Sequence, residues 1–151
     1  MATFSGLISP EPQPSGLVDG RNFMPIKPEF AAAFAKEWIE GANAKDFDKV
    51  LGFYAADVVV TSPYIRLVAG EPSGKLVGKI ALRNYWMGTL TKRAELKFEL
   101  VDVFAGVESV TIHYVNRGQK AAEVFFFNDQ GKIVRSDAHY LPSAVPAAPG
   151  A

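Results

Sequence analysis

Cysteine is absent from the 151 residues, which excludes disulfides and any thiolate-based metal or redox centre. An excess of charge is missing too. Sixteen basic residues face sixteen acidic ones, and no basic run interrupts the chain. Such a balance gives no electrostatic footprint for nucleic acid or for an anionic membrane surface. No apolar run approaches the ~20 residues that cross a bilayer. The opening MATFSGLISPEPQPSG lacks the basic start and the continuous apolar stretch of a secretion signal. These absences point to a soluble protein of the cytoplasm, with neither membrane nor nucleic acid as partner. No phosphate-cradling glycine loop and no GxSxG elbow occur. The two histidines, His113 and His139, stand outside any HExxH or EF-hand spacing. No nucleotide cofactor and no metal is implied.

What is present is apolar and aromatic: 48% hydrophobic residues and 12% Phe, Trp and Tyr, enough for one domain with a sizeable core. Five of the ten prolines crowd into the first 28 residues, where apolar periodicity is weak. Residues 1–27 therefore read as an arm, 28–141 as the domain, and 142–151 (PSAVPAAPGA) as a flexible tail. Within the domain, PEFAAAFAKEWIEGAN spaces Phe30, Phe34, Trp38 and Ala42 as a helix, with Pro28 in its first turn. Asp46 caps a second helix, DFDKVLGFYAA, ending near Ala56. VVVT is a short strand closed by Ser62-Pro63, and Tyr64 to Gly78 reads as a loop or irregular hairpin. KIALRNYWMGTLTK is a third helix, with Ala81 and Tyr85 on one side.

The remainder alternates with period two. ELKFELVDVF places Leu96, Phe98, Leu100, Asp102 and Phe104 on one face. SVTIHYVNR opposes Val110, Ile112 and Tyr114 to Ser109, Thr111 and His113. Turns at Asn116-Arg117-Gly118 and Asn128-Asp129-Gln130-Gly131 complete a meander of four antiparallel strands. Helices early and strands late give an α+β class, with three helices on one face of a curved antiparallel sheet.

The stretches W-x7-DFDKVLGFYAADVVVTSP, GKIALRNYW and EVFFFNDQGKIVRSDAHY resemble the nuclear transport factor 2-like superfamily, which includes ketosteroid isomerases, scytalone dehydratase and SnoaL-type polyketide cyclases. The resemblance spans roughly Glu29 to Tyr140. It implies a cone-shaped fold with a pocket between the helices and the concave sheet face, and commonly a homodimer through the outer face. Set against ketosteroid isomerase, Glu123 falls at that enzyme's protonated aspartate, which donates a hydrogen bond to the reacting oxygen. Trp38 falls at its oxyanion tyrosine, Ser62 at its general base, Tyr54 at a supporting tyrosine and Trp86 at another. A serine hydroxyl cannot abstract a proton without a base of its own, so the isomerase mechanism is disfavoured.

Glu123 is the pivotal residue. It opens the half-buried run EVFFF, where a carboxylate loses hydration unless it is paired, protonated or facing a cavity. Either it pairs with Arg135 on the outer face, or it faces the pocket as an acid or anchor. The last strand has two possible facings, because a bulge at Gly131 would exchange its inward and outward side chains. One facing lines the pocket with Ser136, Ala138 and Tyr140. The other brings Arg135, Asp137 and His139 inward, where Asp137 would orient the imidazole for acid–base work beside Glu123. Tyr114 and Asn116 offer a hydroxyl and an amide to a ligand. Trp38, Phe53, Tyr54, Tyr85 and Trp86 exceed what a small core needs and suggest an aromatic-walled cavity, with Tyr64 on the loop that lids its mouth. The ligand expected is small, largely apolar and cyclic or aromatic. An acid–base enzyme (dehydratase, cyclase or isomerase), a non-catalytic binding module and a dimeric interaction protein all fit these residues.

Overall fold

The computed structural model describes residues 17–18, 21–22, 25–91 and 96–145. Most of the arm, residues 146–151 of the tail and the end of the third predicted helix lie outside the described residues. Within the arm, β1 (Leu17–Val18) and β2 (Arg21–Asn22) pair antiparallel with each other.

Helix α1 (Pro28–Asn43) starts on a proline, whose missing N–H costs nothing in the first turn. Its buried side chains, Ala31, Phe34, Ala35, Trp38, Ile39 and Ala42, recur at three and four residues and form one face. Phe34 meets Phe53, Phe125 and Phe127 edge-on at 5.1, 5.0 and 5.1 Å, which pins the helix to the sheet. The Asp46 side chain accepts from the Lys49 N–H and caps α2 (Phe47–Leu51), as the sequence suggests. That helix does not reach Ala56. Strand β3 (Tyr54–Thr61) takes over, because its β-branched run pairs with the last strand.

The segment read as a loop holds two short elements. Ser62 caps α3 (Pro63–Val68), and β4 (Lys75–Val77) folds back onto β3. Elements of six and three residues are too short for a hydrophobic period to reveal. Gly78, at φ 95°, then turns the chain into α4 (Lys79–Thr89).

Strands β5 (Phe98–Ala105), β6 (Ser109–Asn116), β7 (Gln119–Phe127) and β8 (Ile133–Tyr140) form the expected antiparallel meander. The sheet is larger than that meander and is mixed. Six strands run in the order β4-β3-β8-β7-β6-β5, and β3 joins β8 in parallel. A bulge between Leu100 and Asp102 breaks the alternation expected of β5. Beyond it Val103 packs against the core, while Asp102 and Phe104 turn to the outer face opposite His113 and Thr111. Val103 is therefore not on the outer face with Val124 and Phe126. On the concave face, Val110, Ile112, Tyr114, Phe125 and Ile133 pack with the helices into one core. No described helix is long and apolar enough to cross a membrane.

Candidate functional site

The register of β7 and β8 decides which side chains enter the cone. Glu123 pairs with Ile112 on one side and Ala138 on the other, so it shares the concave face with buried residues. Its exposure is 7%. The Ser136 hydroxyl, fully buried two residues along that face, donates to Glu123 Oε1 at 2.7 Å. Burial raises the Glu123 pKa, the Ser136 bond opposes that, and the charge of Asp137 adds to it, giving a value of about 7 in place of the usual 4.5.

Around this carboxyl lies a chamber of about 100 Å³, walled by rings: Trp38 from α1, Phe47 from α2, Tyr85 and Trp86 from α4, Phe98 and Tyr114 from the sheet. Ser62, Ala138 and Tyr140 line it with Glu123, beside the aliphatic side chains of Ala42, Val50, Val60, Ile65 and Leu90. A second cavity of about 370 Å³ adjoins it, reaching Tyr64, Thr89, Asn116, Arg117 and Gln119. Helical spacing sets the α-helical part of the wall. Trp38 and Ala42 stand one turn apart on α1, and Tyr85 and Trp86 face it from α4.

The phenols are arranged around the acid. Tyr54 and Tyr114 have their pKa values raised well above the usual phenol range, first by burial and then by the Glu123 charge. Burial followed by Glu123 raises Tyr140 as well, while Ser62 and Tyr114 approach its hydroxyl and oppose the shift. All three stay protonated at neutral pH. Trp38 Nε1 donates to the Tyr54 hydroxyl at 3.0 Å, so these two side chains brace one another.

The expected site residues thus divide into layers. Trp38, Ser62, Trp86, Tyr114, Glu123 and Tyr140 line the inner chamber. Tyr64 and Asn116 line the outer cavity, which Tyr114 and Tyr140 also reach. Tyr54 and Ser136 sit behind the wall, holding Trp38 and Glu123. The Ser62 oxygen accepts from the Tyr64 N–H at 3.2 Å as the cap of α3, a structural task where the resemblance would put a base.

Asp137 and His139 are separated from Glu123. Asp137 pairs across the ladder with Val124 and His139 with Ala122, on the convex face. Partial burial of Asp137 works against ionisation, but hydrogen bonds from Arg135 at 3.0 Å and Thr61 at 2.6 Å hold its pKa below the usual value. Arg135 is engaged there, so the alternative pairing of Glu123 with Arg135 does not occur. The imidazole Nδ1 of His139 meets the Asp137 carbonyl, not its carboxylate, at 3.1 Å. An acid–base pair of Asp137 and His139 inside the chamber is excluded by this facing. The β7–β8 irregularity falls between Phe126 and Phe127, and leaves Ser136, Ala138 and Tyr140 on the concave side. No group of three or more His, Asp or Glu among the described residues is placed to hold a metal ion.

Sequence reasoning missed Asn43. Its amide donates to the Phe98 carbonyl at 2.9 Å and accepts the Phe98 N–H at 2.7 Å, mimicking a ladder rung on the edge strand. This clamp fixes a chamber wall. Its only signal was a polar residue closing an otherwise apolar helix face.

A SnoaL-like domain matches residues 35–136, the span that builds both the cone and the acid. The chain belongs to the SnoaL-like family. It is a nuclear transport factor 2-like fold with an α+β architecture. A SnoaL-like protein of Burkholderia thailandensis is 43% identical over 78% of this chain and 99% of its own, with a TM-score of 0.75. Two more distant structures share the fold. A Mycobacterium tuberculosis protein solved in complex with estradiol-17β-hemisuccinate is 16% identical over 75% of this chain and 95% of its own, TM-score 0.59. A computationally designed 17-OHP binder is 18% identical over 75% of this chain and 92% of its own, TM-score 0.58. No curated protein matches the chain.

Proposed function

We propose that this SnoaL-like protein binds a small, apolar, cyclic molecule in the inner chamber and presents one of its oxygens to the Glu123 carboxyl. The observation that carries the reading is the acid itself: a buried carboxyl, fixed through one oxygen by Ser136, beside a chamber lined by aromatic rings and aliphatic side chains. A pKa of about 7 keeps both forms accessible near neutrality. The protonated form donates to a ligand carbonyl or hydroxyl, and the ionised form takes a proton back. Dehydration, cyclisation and double-bond isomerisation are the reaction types such a group serves. Fold relatives that bind an estradiol derivative and 17-OHP support a cyclic, oxygen-bearing ligand. Binding without turnover is the second reading. It is favoured by the commitment of Ser62 to the α3 cap and by the described chamber wall holding no second carboxyl and no imidazole beside Glu123.

Both tryptophans of the chain line this chamber, so their fluorescence reports its occupancy. Titration with cyclohexanone and methylcyclohexane should show a preference for the ketone that fades as pH rises through about 7. In Glu123→Gln that preference should no longer vary with pH. A ketone preference in the unaltered protein that is flat across this range contradicts the assignment.

The convex face supports a homodimer, the other part of this proposal. Val124 and Phe126 lie there with Phe104 and Val77, which are 57% and 68% exposed. These side chains form apolar patches on a face that also carries Arg135, Asp137 and His139, and such a mixed face suits a second copy of the chain.

A further inference from the structure

The inner chamber is smaller than the ~150 Å³ cavity that holds benzene, so it admits at most one ring, and that only with slight yielding of its walls. The vestibule beside it, at about 370 Å³, is the one of the two that reaches the ~300–1,000 Å³ range of small-molecule sites. Five residues belong to both cavities and form the partition: Tyr85, Leu90, Phe98, Tyr114 and Tyr140. The partition is stiff where its rings are tied. Phe98 stacks on Trp38 at 5.9 Å and is clamped through its backbone by Asn43. The Tyr140 ring stands edge-on to Tyr64 at 4.7 Å and 87°. Tyr64 in turn donates to the Ala144 carbonyl at 3.3 Å, which holds the 3-10 turn Pro142–Ala144 beside it. Leu90, at the end of α4, is the aliphatic member of the partition.

The two cavities also differ in chemistry. Asn116, whose Oδ1 accepts the Lys97 N–H at 3.3 Å, brings an amide with two N–H donors to the vestibule wall. Arg117 adds guanidinium donors at the same hairpin tip. The vestibule thus carries N–H donors at its hairpin tip, where the inner chamber has a single acid.

We propose that the ligand is bipartite: one ring seated against Glu123, and an arm ending in a hydrogen-bond acceptor such as a carboxylate, lying in the vestibule. Leu90 and Tyr140 then set specificity by excluding fused polycycles. The inference builds on the chamber reading above and adds which ring systems and which substituent the site takes.

Tryptophan fluorescence with three probes tests it: 4-propylcyclohexanone, 3-(4-oxocyclohexyl)propanoate and the four-ring estradiol. The carboxylate ketone should bind about tenfold more tightly than its propyl counterpart, and estradiol should give no saturable quench. Leu90→Ala and Tyr140→Ala, each checked for a native circular dichroism spectrum, should both admit estradiol. Tyr140→Phe keeps the ring and should still exclude it. Estradiol saturating the unaltered protein as readily as the ketones overturns the bipartite ligand and leaves the chamber reading standing. Equal affinity for the two ketones overturns the acceptor arm. Continued exclusion of estradiol by whichever partition variant folds overturns the role of the partition. Absence of quenching by either ketone removes this inference and the chamber reading together.

Discussion

Glu123 carries an energetic cost that the surrounding residues only partly offset. The unfolded chain releases this proton near 4.5 and the folded chain near 7. Stability is therefore greatest below the lower value, declines between the two, and is lower by roughly 3 kcal/mol above the upper one. Glu123→Gln cannot ionise and keeps an oxygen to accept from Ser136. Its stability relative to the unaltered protein should rise between about pH 4.5 and 7 and stay constant outside that window. Urea unfolding of both proteins over this range checks the sign, and a relative stability that falls with rising pH would contradict it. Ser136→Ala removes the one bond that favours the ionised form. It should push the Glu123 pKa higher still and cost about 1–3 kcal/mol, with the larger loss above neutral pH.

Helix α1 and strand β5 show how local geometry depends on partners. The amide of Asn43 satisfies both the N–H and the carbonyl of Phe98. Asn43→Ala should cost about 1–2 kcal/mol and speed amide exchange at Phe98 relative to its neighbours in β5. A variant with unchanged exchange at Phe98 would show that the clamp contributes nothing. The long elements were legible from the sequence because their periods are long: the face of α1, the alternation of β6 and the hairpin at Arg117-Gly118, where both residues adopt positive φ. Three features were not. The parallel union of β3 with β8 is a non-local choice with no local pattern behind it. The bulge in β5 inserts one residue into an otherwise clean alternation, and so moves Val103 inward. The facing of β8 was open by one residue, which is why Asp137 and His139 were candidates and now lie on the far side from Glu123. The fold was thus readable in outline. Of the site, the sequence supplied the acid and most of its wall, but not the separation into chamber, vestibule and supporting layer.

Taken together, the helices close one face of the sheet around the acid, and the other carries Val124 and Phe126 beside Arg135, Asp137 and His139. Phe126 lies on that convex face, paired in the ladder with Ser109 and Arg135. Light scattering at micromolar concentration should give twice the chain mass, and Phe126→Glu should reduce it to the chain mass while the ketone titration is unchanged. A monomer in the unaltered protein would contradict the dimer without touching the chamber. The independence follows from the sheet itself, since the proposed dimer face and the chamber are opposite sides of the same strands.

The most direct measurement is a carbon-13 NMR titration of the glutamate side-chain carboxyls, with Glu123 assigned by its absence from Glu123→Gln. One carboxyl should titrate near 7, well apart from the others, and its midpoint should move upward when a cyclic ketone fills the chamber and accepts a hydrogen bond from its protonated form. A Glu123 carboxyl titrating at or below 4.5, unmoved by the ketone, would contradict the account.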